Sequence, residues 1–288
     1  MIRLTATTAL TVAFLATACD RGGGAASRVT LRYHPQPGAV HRYALDQVNR
    51  VTMSAGPFAA MGEQLLTLNM HFTQEVTGPV SGGIEVKVTF DSTQMELPGM
   101  APDAVARELS RVRGLVSTVL FDERARVVRS DMGTAPGVAP ELLSQMTIGV
   151  KAMAFALPEE PVGPGDSWIV ATELPVGQLP GASGAGASRT KLTVKEVRVA
   201  GTDTTVVLEV ETTFPGDPIA LTIAGQPATL RLSGSLAGDQ VFSLSRGVVV
   251  SGTLKGTMKM NVSSAVLGRQ GMVLSSANET SLRLADAR

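Results

Sequence analysis

The stretch V-V-V-S-G-T-L-K-G-T-M-K-M-N-V, residues 248 to 262, alternates in character from Val250 onward. Val248, Val250, Gly252, Leu254, Gly256, Met258, Met260 and Val262 fall on one face of an extended chain, and Ser251, Thr253, Lys255, Thr257, Lys259 and Asn261 fall on the other. Successive side chains of a strand point to opposite faces, so this pattern predicts a long strand with one dry and one wet side. Gly252 and Gly256 lie on the dry side, where they leave gaps or permit sharp bending. The same period recurs at Ile84, Val86, Val88 and Phe90, at Val206, Leu208 and Val210, and at Leu230, Leu232, Gly234 and Leu236. Turn signals such as Gly82-Gly83 and Gly201-Thr202-Asp203 separate these runs and predict antiparallel β-meanders.

Parts of the chain can be laid on one another. Residues 84 to 90 (IEVKVTF) match residues 208 to 214 (LEVETTF), residues 121 to 130 match residues 242 to 251, and Pro37-Gly38 before Tyr43 answers Pro164-Gly165 before Trp168. Segments in the same order at nearly constant spacing suggest a duplicated meander. Two amphipathic helices interrupt it. One opens at Pro102 and closes at Gly114 with Val105, Leu109 and Val112 on a stripe. The other carries Leu142, Met146, Val150, Met153 and Leu157 and ends at Pro158. The expected fold is mainly β (α+β), with curved antiparallel sheets whose concave face is covered by both helices.

The 288 residues carry 25 Lys+Arg against 25 Asp+Glu, with 44% apolar residues and one Cys. At roughly 150 residues per domain, this is one large β domain or two similar lobes. A balanced charge offers no field for a phosphate backbone, which argues against nucleic acid as a partner. A single Cys excludes an intrachain disulfide and a Cys-based zinc site.

The opening M-I-R-L-T-A-T-T-A-L-T-V-A-F-L-A-T-A-C pairs Arg3 with an apolar run too short to span a bilayer, and reads as a secretory signal. Its end, Ala16-Thr17-Ala18-Cys19, resembles the lipobox of bacterial lipoproteins, which implies cleavage before Cys19 and acylation of that residue. Several acyl chains anchor a protein durably. Residues 20 to 27, D-R-G-G-G-A-A-S, form a flexible tether that holds the folded part within roughly 20 Å of the membrane. The organisation expected is a signal peptide over 1–18, lipidated Cys and tether over 19–28, a first β lobe with both helices over 29–157, and a second β lobe over 158–288. The expected location is the bacterial cell envelope, on the non-cytoplasmic side, with inner or outer membrane undecided.

An acylated Cys, a short tether and a curved antiparallel sheet with crossing helices together resemble the LolA/LolB and LppX group of envelope lipoproteins. That resemblance implies a half-barrel holding lipid under helices. The openings L-R-Y-x-P-x-x-G (Leu31 to Gly38) and V-G-P-G-D-S-W (Val162 to Trp168) are also similar to an uncharacterised family of bacterial envelope lipoproteins, which implies no activity.

Catalytic chemistry finds little support. His34, His41 and His71 lack metal-ligand spacing. Asp166-Ser167 has neither a nucleophile elbow nor a His in the second half to serve as base. The pairs Asp122-Glu123 and Glu159-Glu160 read as solvated loops. Twelve Met residues are more informative, because flexible thioethers fill irregular apolar space and adapt to varied ligands. The leading expectation is a non-enzymatic, membrane-tethered lipoprotein, without cofactor or metal, that binds an apolar ligand or lipid. Its lining would include Leu142, Met146, Val150 and Met153 on the helix and Leu254, Met258 and Met260 on the strand. The alternative is a structural or protein-interaction module of the envelope, docking a partner through apolar loops at Phe58 (residues 54–62) and Ile219 (residues 218–225).

Overall fold

The computed structural model describes residues 28–55, 60, 62–96, 98–99, 101–133, 156–174, 186–223, 225–267 and 271–285. The strands in chain order are β1 (Val40–Ala55), β2 (Glu63–Val80), β3 (Gly83–Glu96), β4 (Val116–Phe121), β5 (Val127–Met132), β6 (Ser167–Leu174), β7 (Gly186–Ala200), β8 (Asp203–Ile223), β9 (Gln226–Ser243), β10 (Val248–Ser264) and β11 (Met272–Ala285). They form one antiparallel 11-stranded sheet in the order β5-β4-β3-β2-β1-β11-β10-β9-β8-β7-β6. One meander runs outward from β1 to the β5 edge, the other inward from the β6 edge to β11, and the two meet where β1 pairs β11. The turns expected at Gly82 and Gly201 are present.

The sheet is curled. Tyr33 N–H donates to Glu123 O in the β4–β5 turn at 2.8 Å, and the next residue, His34, donates to Gly247 O in the β9–β10 turn at 3.4 Å. β4 and β10 are five strand spacings apart in the sheet order, about 24 Å if the sheet were flat. Adjacent residues reach both turns only because the sheet wraps round at this end. Residues 156–162 complete the closure: Leu157 N–H donates to Arg124 O beside β5, and Trp168 Nε1, at the start of β6, donates to Ala156 O.

Inside this closed base sits the main core. Phe72, Val86, Val88 and Val119 from one meander and Leu192, Val206, Leu208 and Phe242 from the other join Leu31 of the N-terminal segment and Leu157. Each fully buried side chain of this size contributes about 1.5–3 kcal/mol. Tyr43 stacks on Phe72 at 5.2 Å and donates its hydroxyl to Val249 O, so its polar tip is satisfied inside the core. A smaller core of Ile219, Leu221, Ala228, Leu230 and Val262 lies at the other end of β8, β9 and β10.

The first predicted helix is present but shorter than expected. Among the described residues there is one α-helix, α1 (Pro102–Ser110), with Pro at its start as read from the sequence. It stops at Ser110 instead of running to Gly114, because residues 111–114 turn back so that Gly114 N–H and Leu115 O can bond Phe90. Val105 and Val112 are buried and Leu109 is half-buried, as their stripe predicts. The second predicted helix, with Leu142, Met146, Val150 and Met153, lies outside the described residues, whereas Leu157 is described and lies outside any helix, buried in the core. Residues 218–223 were expected in a loop. They continue β8 instead, because the P-G-D-P bulge after Phe214 lets pairing with β9 resume at Pro218.

Candidate functional site

The cross-strand register assigns every strand position to one of two faces. Partners share a face, so rows of side chains can be followed across the sheet. One such row is Val194-Leu208-Gln240-Gly252-Leu282-Leu45-Met70-Thr93, packed against the base. The next is Leu192-Val210-Gly238-Leu254-Thr280-Gln47-Leu68-Met95. Above it runs Thr190-Thr212-Leu236-Gly256-Asn278-Asn49-Leu66, and then Phe214-Gly234-Met258-Ser276-Val51-Gln64. These rows line the concave face, since they climb from the base core to the smaller core at the opposite end.

No Asp, Glu, Lys or Arg occurs in any of these rows. The strand charges sit on the opposite face, where Lys255 pairs with Glu279 at 2.6 Å, Lys195 with Asp239 at 3.0 Å and Arg283 with Asp46 at 3.8 Å. These bridges are well exposed, so water and salt screen them. Their placement matters more than their strength, because it leaves the concave side neutral.

The concave face is also incompletely packed. Leu66, Leu68, Leu236, Phe214 and Met258 are partly exposed and belong to neither core. Glycines shape this region. A Cβ on Gly238 would lie 1.8 Å from Thr253 O, one on Gly256 2.0 Å from Ser235 O, and one on Gly234 2.2 Å from Thr257 O. β9 and β10 therefore approach more closely than any side chain at these positions would permit. Each glycine faces a large residue across the pair: Gly238 opposes Leu254, Gly256 opposes Leu236 and Gly234 opposes Met258.

The predicted strand residues Leu254, Met258 and Met260 all lie on this face. Leu254 leans on the base core and Met260 on the smaller one, while Met258 sits between them. Met70 and Met95 share the face. Cys19, Phe58, Leu142, Met146, Val150 and Met153 lie outside the described residues. Ile219 is 3% exposed and packs in the smaller core, so in this chain its side chain faces inward rather than outward from a loop.

No family model matches the chain. No curated protein matches it either. Among solved structures it is similar to lipovitellin, studied for its lipid–protein interactions, at 12% identity over 88% of this chain with a TM-score of 0.45. The chain spans 26% of that lipovitellin chain. It is also similar to DynF from the dynemicin biosynthesis pathway of Micromonospora chersina, at 10% identity over 90% of this chain and 86% of that one, with a TM-score of 0.25. Likenesses this distant carry no functional argument.

The residues considered for catalysis are dispersed. His71 Nδ1 contacts Ser92 Oγ at 3.1 Å on the convex face, His34 lies against Gly247, and His41 is half-buried with an unbonded Nδ1. Asp166 ties its own turn, accepting from Gly163 N at 2.8 Å and pairing with Arg28 at 2.9 Å. Asp122 accepts the backbone N–H groups of Arg124 and Arg126, each at 2.9 Å, and so shapes the β4–β5 turn. Glu159 pairs with Arg124 beside that turn.

The sequence reading missed a polar patch in the middle of the concave face. Gln47 and Asn49 of β1 lie across from Thr280 and Asn278 of β11, with Ser276 one row further on. Its signal was available: in L-D-Q-V-N-R-V (45–51) and S-A-N-E-T-S-L (276–282), uncharged polar residues occupy the parity that is apolar elsewhere.

Proposed function

We propose that the protein is a non-enzymatic envelope lipoprotein, tethered to a membrane through acylated Cys19, that holds an apolar or amphipathic ligand of lipid type against the concave face of its sheet. One observation carries this reading: a concave surface with no formal charge in its rows, on which several large apolar side chains remain partly exposed. Apolar side chains left partly exposed together in a hollow are a surface that a ligand or partner can cover. A concave, mainly apolar surface with a few convergent polar groups is the form that small-molecule sites take. The methionines on the face suit chains of variable shape.

We read the two meanders as products of duplication, since the matched segments fall on β3 and β8, on the turns after β4 and β9, and ahead of β1 and β6. The test of function is mass spectrometry of the full chain purified from membranes in mild detergent. Stoichiometric lipid that co-purifies supports the site, and consistent absence of lipid defeats it. Metabolic labelling with palmitate tests the anchor, because Cys19→Ser should abolish labelling and release the chain from membranes.

A further inference from the structure

Resting on that reading of the concave face, we propose that Asn49 and Asn278, with Gln47, Ser276 and Thr280 beside them, form a subsite for the uncharged linkage region of an acylglycerol. The ligand groups it would take are the ester and hydroxyl oxygens where acyl chains join glycerol.

Asn49 and Asn278 are direct cross-strand partners at the β1–β11 junction, the middle of the sheet. Within the patch, Gln47 Nε2 donates to Asn49 Oδ1 at 3.4 Å, and Asn278 Nδ2 donates to Ser276 Oγ at 3.0 Å and to Ser276 O at 3.5 Å. Each amide offers two donors and two acceptor lone pairs, so three amides hold far more capacity than these contacts use. The amides are partly exposed, and none of their atoms is among the buried polar atoms without a partner. Their unused capacity therefore faces an accessible space. Gly256 lies beside Asn278 in the same row, so no side chain from β10 stands next to that amide.

The chemistry of the surroundings selects the ligand class. Apolar side chains flank the patch on both sides, Leu66 and Leu68 on β2 and Leu236 and Met258 across β9 and β10, so acyl chains can extend either way from it. Among the described residues, no cation occurs in the rows of this face. An ionised carboxylate or phosphate brought here would lose its hydration without gaining a counter-charge, which is costly. Esters accept hydrogen bonds and hydroxyls both donate and accept, and amides satisfy both needs without charge.

The test is photo-cross-linking of the full chain in mild detergent. The probes are a diazirine-bearing monoacylglycerol and the free fatty carboxylate of the same chain at pH 8. Half-saturation should need roughly tenfold less monoacylglycerol than carboxylate, the effect of one or two neutral hydrogen bonds. Asn49→Leu/Asn278→Leu should erase that difference without weakening labelling by the carboxylate. Asn49→Thr/Asn278→Thr, which keeps a donor and acceptor at both positions, should retain part of it; should the leucine variant fail to fold, Gln47→Leu gives the same readout from the neighbouring row. Equal labelling by both probes, a carboxylate preference, or a difference that survives the leucine changes overturns the subsite while leaving an apolar site in place. Absence of labelling by either probe overturns the lipid site itself.

Discussion

Val29 and Val162 exchange both of their backbone hydrogen bonds, at 2.8 and 2.9 Å, although one precedes β1 and the other precedes β6. This two-residue bridge ties the N-terminal segment to the start of the second meander and holds shut the end of the curled sheet. Val29→Pro removes the donor and leaves Val162 O unpaired beside the core, which should cost about 1–3 kcal/mol. Arg28→Ala removes an exposed ion pair with Asp166 and bonds to Pro161 O, and should cost less than about 1 kcal/mol. Urea denaturation of both variants checks the ranking, and an equal loss from each would show that the bridge does not hold the base.

Glycines on the concave face give a second contrast. Gly238→Ala places a methyl group onto Thr253 O, and the strands must separate to accept it. A loss of about 1–3 kcal/mol is expected. Gly252→Ala, one row away on the neighbouring strand, meets nothing closer than Asp239 O at 3.5 Å and should change stability by less than about 1 kcal/mol. Thermal melts of the two variants measure the difference.

Alternation in the sequence predicted which face of β10 is dry, and the register places Gly252, Leu254, Gly256, Met258 and Met260 together on the concave side. Period two is a local property of the chain, so one strand is enough to reveal it. Which strands lie side by side is not local. Nothing within β1 or β11 states that Asn49 faces Asn278, because the pairing joins the two ends of the described chain. The polar patch was therefore visible only as two exceptions to a pattern. The continuation of β8 past Pro215 was hidden for a different reason: two prolines and a glycine read as a loop, and only cross-strand pairing with β9 rescues the strand after its bulge. The role of Gly238 was equally illegible, since a glycine that leaves a gap and one that permits close backbone approach look the same in sequence.

Acid should weaken the fold in two separate windows. His41 is half-buried beside the base, and desolvation, with a smaller contribution from Arg246, lowers its pKa below 6.5. Its folded state then binds fewer protons than the unfolded chain. The resulting stability is complete above about pH 6.5 and is lost as pH falls towards the folded pKa. Asp203 is held below its ordinary value chiefly by the hydroxyl of Ser245, and also by that of Ser243, so its contribution fades only below about pH 4. Urea midpoints measured between pH 7.5 and 5 should fall for the wild type and fall less for His41→Gln. A parallel decline in both proteins would remove His41 as the cause.

Met258 and Thr257 are neighbours on β10 that face opposite sides of the sheet. Replacing either with lysine adds the same charge at almost the same place in the chain, so any difference between the two variants reports the face alone. On the convex side, a lysine at 257 joins Lys255 and Lys259 in water and should leave stability and lipid content within error. On the concave side, a lysine at 258 stands opposite Gly234 and Ser276, among side chains that offer no carboxylate to pair it. Its stem can lie along the apolar surface and carry the ammonium towards water, so the chain should still fold. An apolar ligand that covers the face would have to bury that charge or leave the surface. Met258→Lys should therefore lose at least tenfold of co-purifying lipid at unchanged expression, whereas Thr257→Lys and Met258→Leu should retain it. Equal lipid on Met258→Lys and the wild type would mean that whatever binds this protein binds somewhere other than the hollow of its sheet.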